Sequence, residues 1–148
     1  MPAGAPTRRE LLLAALAAPV LAACGGSPDP PPIRWKAGDR RDLAVDTWNE
    51  RVIAVAAPGG ERLSVRVFLW LGDHTDEVRA LDAACGCGPR PGGCPVSWAD
   101  GSRRFICPCH GGIYGREGKP LGGPARRPLA ARPVFVEGET VYVGPARR

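Results

Sequence analysis

The sequence predicts an all-β fold of short antiparallel strands. Three observations carry that expectation. Apolar and β-branched residues come in short runs, and turn residues separate the runs at close intervals. Gly and Pro, 20 and 17 of the 148 residues, interrupt most windows of the second half before a helix could form. That share approaches the low-complexity range of roughly 25–30%, but here Gly and Pro punctuate apolar runs, as they do in a loop-rich globular domain. The length fits one domain, which commonly holds about 100–150 residues.

The strands follow in order. Arg51–Ala57 (RVIAVAA) and Leu63–Leu71 (LSVRVFLWL) are rich in β-branched and aromatic residues, and Pro58-Gly59-Gly60 between them marks a hairpin. After Gly72-Asp73, Val78–Leu81 alternates as a short strand. Pro95–Trp98 and Arg104–Ile106 flank the turn pair Asp100-Gly101, and Val134–Val136 and Thr140–Val143 flank Glu137-Gly138. Short strands at such spacing suggest a sandwich or barrel. Residues 33–50 give no clear pattern, and no internal repeat is present. The four Trp (35, 48, 70 and 98) read as core or half-buried packing.

The first residues read differently. Arg8 and Arg9 precede an apolar run, residues 11–23, that suits a signal peptide and is too short to span a bilayer. Thr7-Arg8-Arg9-Glu10-Leu11-Leu12 resembles a twin-arginine signal, the kind that exports proteins already folded. Leu21-Ala22-Ala23-Cys24 resembles a bacterial lipobox, in which Cys24 is lipidated and becomes the mature N-terminus. The expected organisation is a signal peptide over 1–23, a lipid attachment site and Pro-rich tether over 24–43, and one domain over 44–148.

Composition excludes some functions. No apolar run approaches the ~20 residues of a spanning helix, so a polytopic membrane protein is excluded. The formal net charge is +5, all but two of the 20 basic residues are Arg, and no basic block reads as a nucleic-acid arm. A nucleic-acid partner is not expected.

The chemistry gathers between Cys85 and Gly123. Five Cys (85, 87, 94, 107 and 109) fall within 25 residues, and His110 follows directly. They lie in two Gly- and Pro-rich loops, 85–94 and 107–112, each after a strand. Small stiff loops let sulfurs converge from two directions, and thiolate with imidazole suits an iron–sulfur cluster or zinc. His74, ahead of another strand, reads as a turn residue.

Here the sequence resembles the Rieske family. Phe105-Ile106-Cys107-Pro108-Cys109-His110-Gly111 looks like that family's second cluster loop, with Tyr114 and Gly118 following at similar spacing. Gly123-Pro124-Ala125 resembles the Pro loop that covers the cluster, and Gly93-Cys94-Pro95-Val96-Ser97-Trp98 resembles the end of the first loop. The resemblance implies Rieske-like antiparallel sheets with a small cluster-binding subdomain formed by the two loops. It implies a 2Fe–2S cluster and carries over Cys107 and His110 as ligands, Cys94 with Cys109 as a disulfide, and Tyr114 as a hydroxyl bonded to a ligand sulfur. The first loop departs from the family: Cys85-Gly86-Cys87 stands where C-x-H is expected. Gly112 stands where the family has a Ser.

Three readings follow. In the first, Cys85, Cys87, Cys107 and His110 bind one 2Fe–2S cluster. In the second, the cluster is lost and disulfides brace a degenerate fold, Cys94 with Cys109 and Cys107 with Cys85 or Cys87, giving a binding or assembly lipoprotein. In the third, the same donors hold a structural zinc. The expected reading is the first: one-electron transfer by an exported, membrane-tethered protein. It would be periplasmic or on the outer face of the cytoplasmic membrane, with a cytochrome or a quinol-oxidising membrane subunit as partner. It would be an oxidoreductase only together with that partner. A thiolate in place of one imidazole adds negative charge, so the potential is expected below the about −150 to +300 mV of two-His Rieske centres. Only His110 among the ligands carries an ionisable N–H, so one ligand ionisation is expected.

Overall fold

The computed structural model describes residues 32–57, 59–75, 77–87 and 93–147. The segments read as a signal peptide and as a lipobox with Cys24, and the Pro-rich stretch as far as residue 31, lie outside the described residues. The chain forms β1 (Trp35–Asp39), β2 (Trp48–Ala56), β3 (Arg62–Leu71), β4 (Val78–Asp82), β5 (Ser97–Ala99), β6 (Arg104–Ile106), β7 (Ile113–Tyr114), β8 (Pro120–Gly122), β9 (Ala131–Arg132), β10 (Val134–Glu137) and β11 (Thr140–Val143). The two helical segments among the described residues are single 3-10 turns, Arg40–Asp42 and Asp100–Ser102.

The strands make three antiparallel sheets, in the orders β1-β11-β10, β2-β3-β4-β9 and β5-β6-β7-β8. The expected hairpins form: Trp48 to Ala56 pair in register with Trp70 to Arg62, and Val134 to Glu137 with Val143 to Thr140. The third is wider than a two-residue turn. Asp100–Ser102 forms the 3-10 turn, and Arg103 closes it at φ 52°.

One expected boundary changes. Residues 24–43 read as attachment site and tether, yet Trp35–Asp39 is β1 and pairs with β11 from Trp35–Val143 to Asp39–Thr140. Lys36, Gly38 and Asp39 obscure any strand alternation, and the partner strand supplies what the local sequence does not. Strands β7, β8 and β9, of two or three residues each, also escape pattern reading.

Alternation along β3 builds two cores. Val67 and Leu69 face an aliphatic cluster with Ile53, Val55, Ala80, Val141 and Val143. Phe68 and Trp70, on the opposite face, join an aromatic cluster with Trp48, Phe105 and Tyr114. Phe105 is its hub, with ring centroids 5.0 Å from Phe68, 5.5 Å from Trp48 and 4.8 Å from Trp98. Such rings each stabilise the fold by about 1.5–3 kcal/mol through burial alone.

The segment before β2 docks the β5–β8 sheet. Trp98 Nε1 donates to Thr47 Oγ1 at 3.0 Å and to Asp100 Oδ1 at 3.1 Å, and Thr47 Oγ1 donates to Asp100 Oδ1 at 2.7 Å. Trp48 Nε1 donates to the Arg116 carbonyl at 3.0 Å. The Arg116 guanidinium lies 4.0 Å over the Trp70 ring and bonds Asp46 at 2.8 Å.

Candidate metal centre

Three loops meet where the chain leaves the β2-β3-β4-β9 sheet and returns to it. The first runs from β4 to β5, the second joins β6 to β7, and the third leads from β8 back to β9. The base of the first is zipped by backbone bonds, Cys85 N to Cys94 O at 3.0 Å and Val96 N to Ala83 O at 2.8 Å. The second is a tight turn, with Cys107 N donating to Gly112 O at 2.8 Å and Gly111 N to Cys107 O at 2.9 Å. The loops pack backbone to backbone. A side chain on Gly86 would collide with the Arg127 carbonyl, and one on Gly123 with that of Gly111.

The donors converge. The Cys85, Cys87 and Cys107 sulfurs and an imidazole nitrogen of His110 all lie within 4.8 Å of one another. His110 Nδ1 is 3.7 Å from Cys107 Sγ. Cys85 and Cys107 are buried, Cys87 is half-buried and His110 is exposed, so the group has one solvent-facing donor. Each loop contributes two donors. Three soft sulfurs and one imidazole fit the chemistry of a 2Fe–2S cluster. His74 takes no part: its side chain is 92% exposed and lies 3.2 Å from Asp73.

The cysteines are also paired with one another. Cys85 is joined to Cys87 and Cys94 to Cys109, while Cys107 is a buried free thiol. The alternative in which Cys107 pairs with Cys85 or Cys87 is not what the structure shows. Adjacency explains the difference: Cys85 and Cys87 lie 5.4 Å apart at Cα in one tight turn.

Polar groups surround the sulfurs. Tyr114 Oη accepts from Gly86 N–H at 2.8 Å and lies 3.3 Å from Cys85 Sγ and 3.5 Å from Cys87 Sγ. Cys87 N–H donates to Cys85 Sγ at 3.1 Å. Burial pushes the Tyr114 pKa up, which keeps its hydroxyl protonated and able to donate. Gly112 is buried, and Cys87 Sγ and Ala125 of the third loop both crowd the place where its side chain would stand. Pro124 is exposed in that loop.

Sequence reading missed the support beneath the first loop. Asp82, at the end of β4, accepts from Ala84 N–H at 2.8 Å and from Arg132 Nε at 3.0 Å. Arg132 Nη2 also meets Asp82, and Arg132 Nη1 donates to the Gly144 carbonyl at 3.0 Å. No local signal marks a pair 50 positions apart.

Comparison with known proteins agrees with the geometry. The model of the Rieske [2Fe-2S] domain matches residues 46–133. A cytochrome b6-f complex iron–sulfur subunit of Gloeobacter violaceus is 30% identical over 110 residues, covering 71% of this chain and 57% of that protein. The corresponding subunit of Synechococcus sp. (strain WH7803) is 47% identical over 51 residues, covering 34% and 29%. The chain thus spans 57% and 29% of the length of these curated relatives. The crystal structure of a plasma membrane Rieske protein from Synechocystis PCC 6803 superposes with a TM-score of 0.53 at 25% identity, covering 74% of this chain and 98% of that one.

Proposed function

We propose, since the chain belongs to the Rieske [2Fe-2S] domain family, that it transfers single electrons outside the cytoplasm as an exported, membrane-tethered redox subunit or carrier. Its cofactor is a 2Fe–2S cluster. One observation carries the ligand assignment: four donor atoms from two loops within 4.8 Å of one another. Cys85 and Cys87 would hold the cluster from the first loop, and Cys107 and His110 from the second.

The cluster, when bound, accepts and returns one electron. The chain's own residues do the rest. The buried sulfurs and the aromatic core beneath them keep water from the inner side, while His110 faces a partner. The Tyr114 hydroxyl and the Cys87 N–H, aimed at Cys85 Sγ, stabilise negative charge on that sulfur. The Cys94–Cys109 bond ties the two loops together. Holding the cluster would require Cys85 and Cys87 as two separate thiolates.

The partner in this reading is a membrane cytochrome complex, supported by the iron–sulfur subunits of cytochrome b6-f complexes among the relatives. Arg8 and Arg9 with the lipobox at Cys24 support export and a lipid anchor. No helix among the described residues is long and apolar enough to cross a membrane.

A potentiometric titration of the anaerobically purified chain tests the redox reading. A reversible one-electron wave below the usual two-His range is expected, and Cys87→Ser should shift it. Cys24→Ala should release the protein from membranes. The Cys85–Cys87 pairing favours a second reading, a cluster-free binding lipoprotein braced by two disulfides. That protein would be colourless and show no wave.

A further inference from the structure

We propose that Gly112 is a positioning residue for Cys87: the absence of a side chain at 112 makes the room in which the Cys87 sulfur joins the other donors. The proposal rests on the cluster reading for its functional meaning and on packing for its geometry.

A Cβ at position 112 would stand 2.5 Å from Cys87 Sγ, 3.3 Å from Ala125 Cβ and 3.6 Å from Ala125 N. Non-bonded carbon atoms settle at about 3.5–4.0 Å, and sulfur is larger. The overlap with the sulfur is therefore about 1 Å or more, whereas the overlap with Ala125 is slight.

Backbone conformation does not explain the glycine. Gly111 has φ 69°, the left-handed region that side chains disfavour, and open space where a Cβ would go. Gly112 is the reverse: its φ lies outside that region and its space is taken. The two adjacent glycines meet different needs, one of conformation and one of volume.

The way the clash would be relieved decides its consequence. The second loop cannot easily retreat. Gly112 O is held by Cys107 N–H, and Gly111 O is packed against Gly123 of the third loop. Once the bond to Cys85 is reduced, Cys87 Sγ is the end of a short side chain and can rotate. Rotation removes the sulfur from the donor group and leaves Cys85, Cys107 and His110 in place. Position 112 therefore selects whether a thiolate can serve at position 87.

The test compares the full chain with Gly112→Ala, Gly111→Ala and the double variant Gly112→Ala/Cys87→Ala. Alkylation of each cysteine by iodoacetamide is read by peptide mass spectrometry on the metal-free, reduced proteins. Iron and sulfide per chain are read on the reconstituted ones. Gly112→Ala should raise labelling of Cys87 several-fold relative to Cys107 and lower cluster content, whereas Gly111→Ala should leave the Cys87-to-Cys107 ratio unchanged. Unchanged Cys87 labelling with full cluster content in Gly112→Ala would overturn the proposal. If Gly112→Ala fails to fold, recovery of folding in the double variant supports the contact, and persistent misfolding refutes it. A wild-type chain without iron and sulfide, but with the labelling change, leaves the contact standing and removes the cluster reading instead.

Discussion

Tyr114 Oη lies 3.3 Å from Cys85 Sγ while accepting the Gly86 N–H at 2.8 Å. With a backbone donor already on its oxygen, the phenol turns its own O–H toward the sulfur. A donor on a ligand sulfur favours the reduced cluster, which carries one more negative charge. Tyr114→Phe should therefore lower the midpoint potential. A hydrogen bond of about 1 kcal/mol corresponds to about 40 mV, taking 59 mV per tenfold for one electron. Potentiometry on both proteins checks this, and an unchanged potential would show that the hydroxyl bonds only Gly86.

The first loop stands on a pair of oppositely charged residues. The Arg132 and Asp82 side chains are 7% and 14% exposed. Asp82 also holds the Ala84 N–H, immediately before Cys85. Arg132→Ala leaves a largely covered carboxylate without its cation, a change that costs at most about 3–5 kcal/mol, the figure for a fully buried pair. Chemical denaturation should show the loss as a lower midpoint at unchanged slope.

Cys94 and Cys109 close a 15-residue separation. Loop entropy in the unfolded chain makes such a bond worth about 3 kcal/mol. Cys94→Ser should lower stability by about that amount in non-reducing buffer and by little when reductant is present. A loss that persists under reductant would place the effect in packing.

Asp100 carries a pH signature. Hydrogen bonds from Thr47 and then Trp98 hold its carboxyl below its ordinary value, against the raising effect of burial. A depressed folded pKa means that the stabilisation is complete above the unfolded pKa and lost as pH falls through the folded one. Asp100→Asn should therefore melt below wild type near pH 7, and the gap should close below about pH 4. A gap that stays constant into acid would rule out the charged form as the source.

Much of this was legible in the sequence because the signals were local. Arg51 to Leu71 reads as a hairpin because β-branched runs flank a Pro-Gly-Gly turn. Phe105 to Gly111 resembles a family cluster loop within seven consecutive residues, so Cys107 and His110 stand out as ligands by that resemblance. What was hidden depends on distant partners. Trp35–Asp39 is a strand only because β11 lies beside it. Arg132 is an ordinary surface residue in the sequence until Asp82 meets it. Gly112 looked like a missing side chain, and only the fold shows the Cys87 sulfur in its place. Short strands such as Ile113–Tyr114 carry too few residues to show a period.

The most direct measurement is an electron paramagnetic resonance spectrum of the dithionite-reduced protein, purified without oxygen, with iron and acid-labile sulfide determined on the same sample. A 2Fe–2S signal is expected, with two irons and two sulfides per chain. An iron-free, silent sample that also fails reconstitution after reduction of its disulfides would contradict the cluster reading.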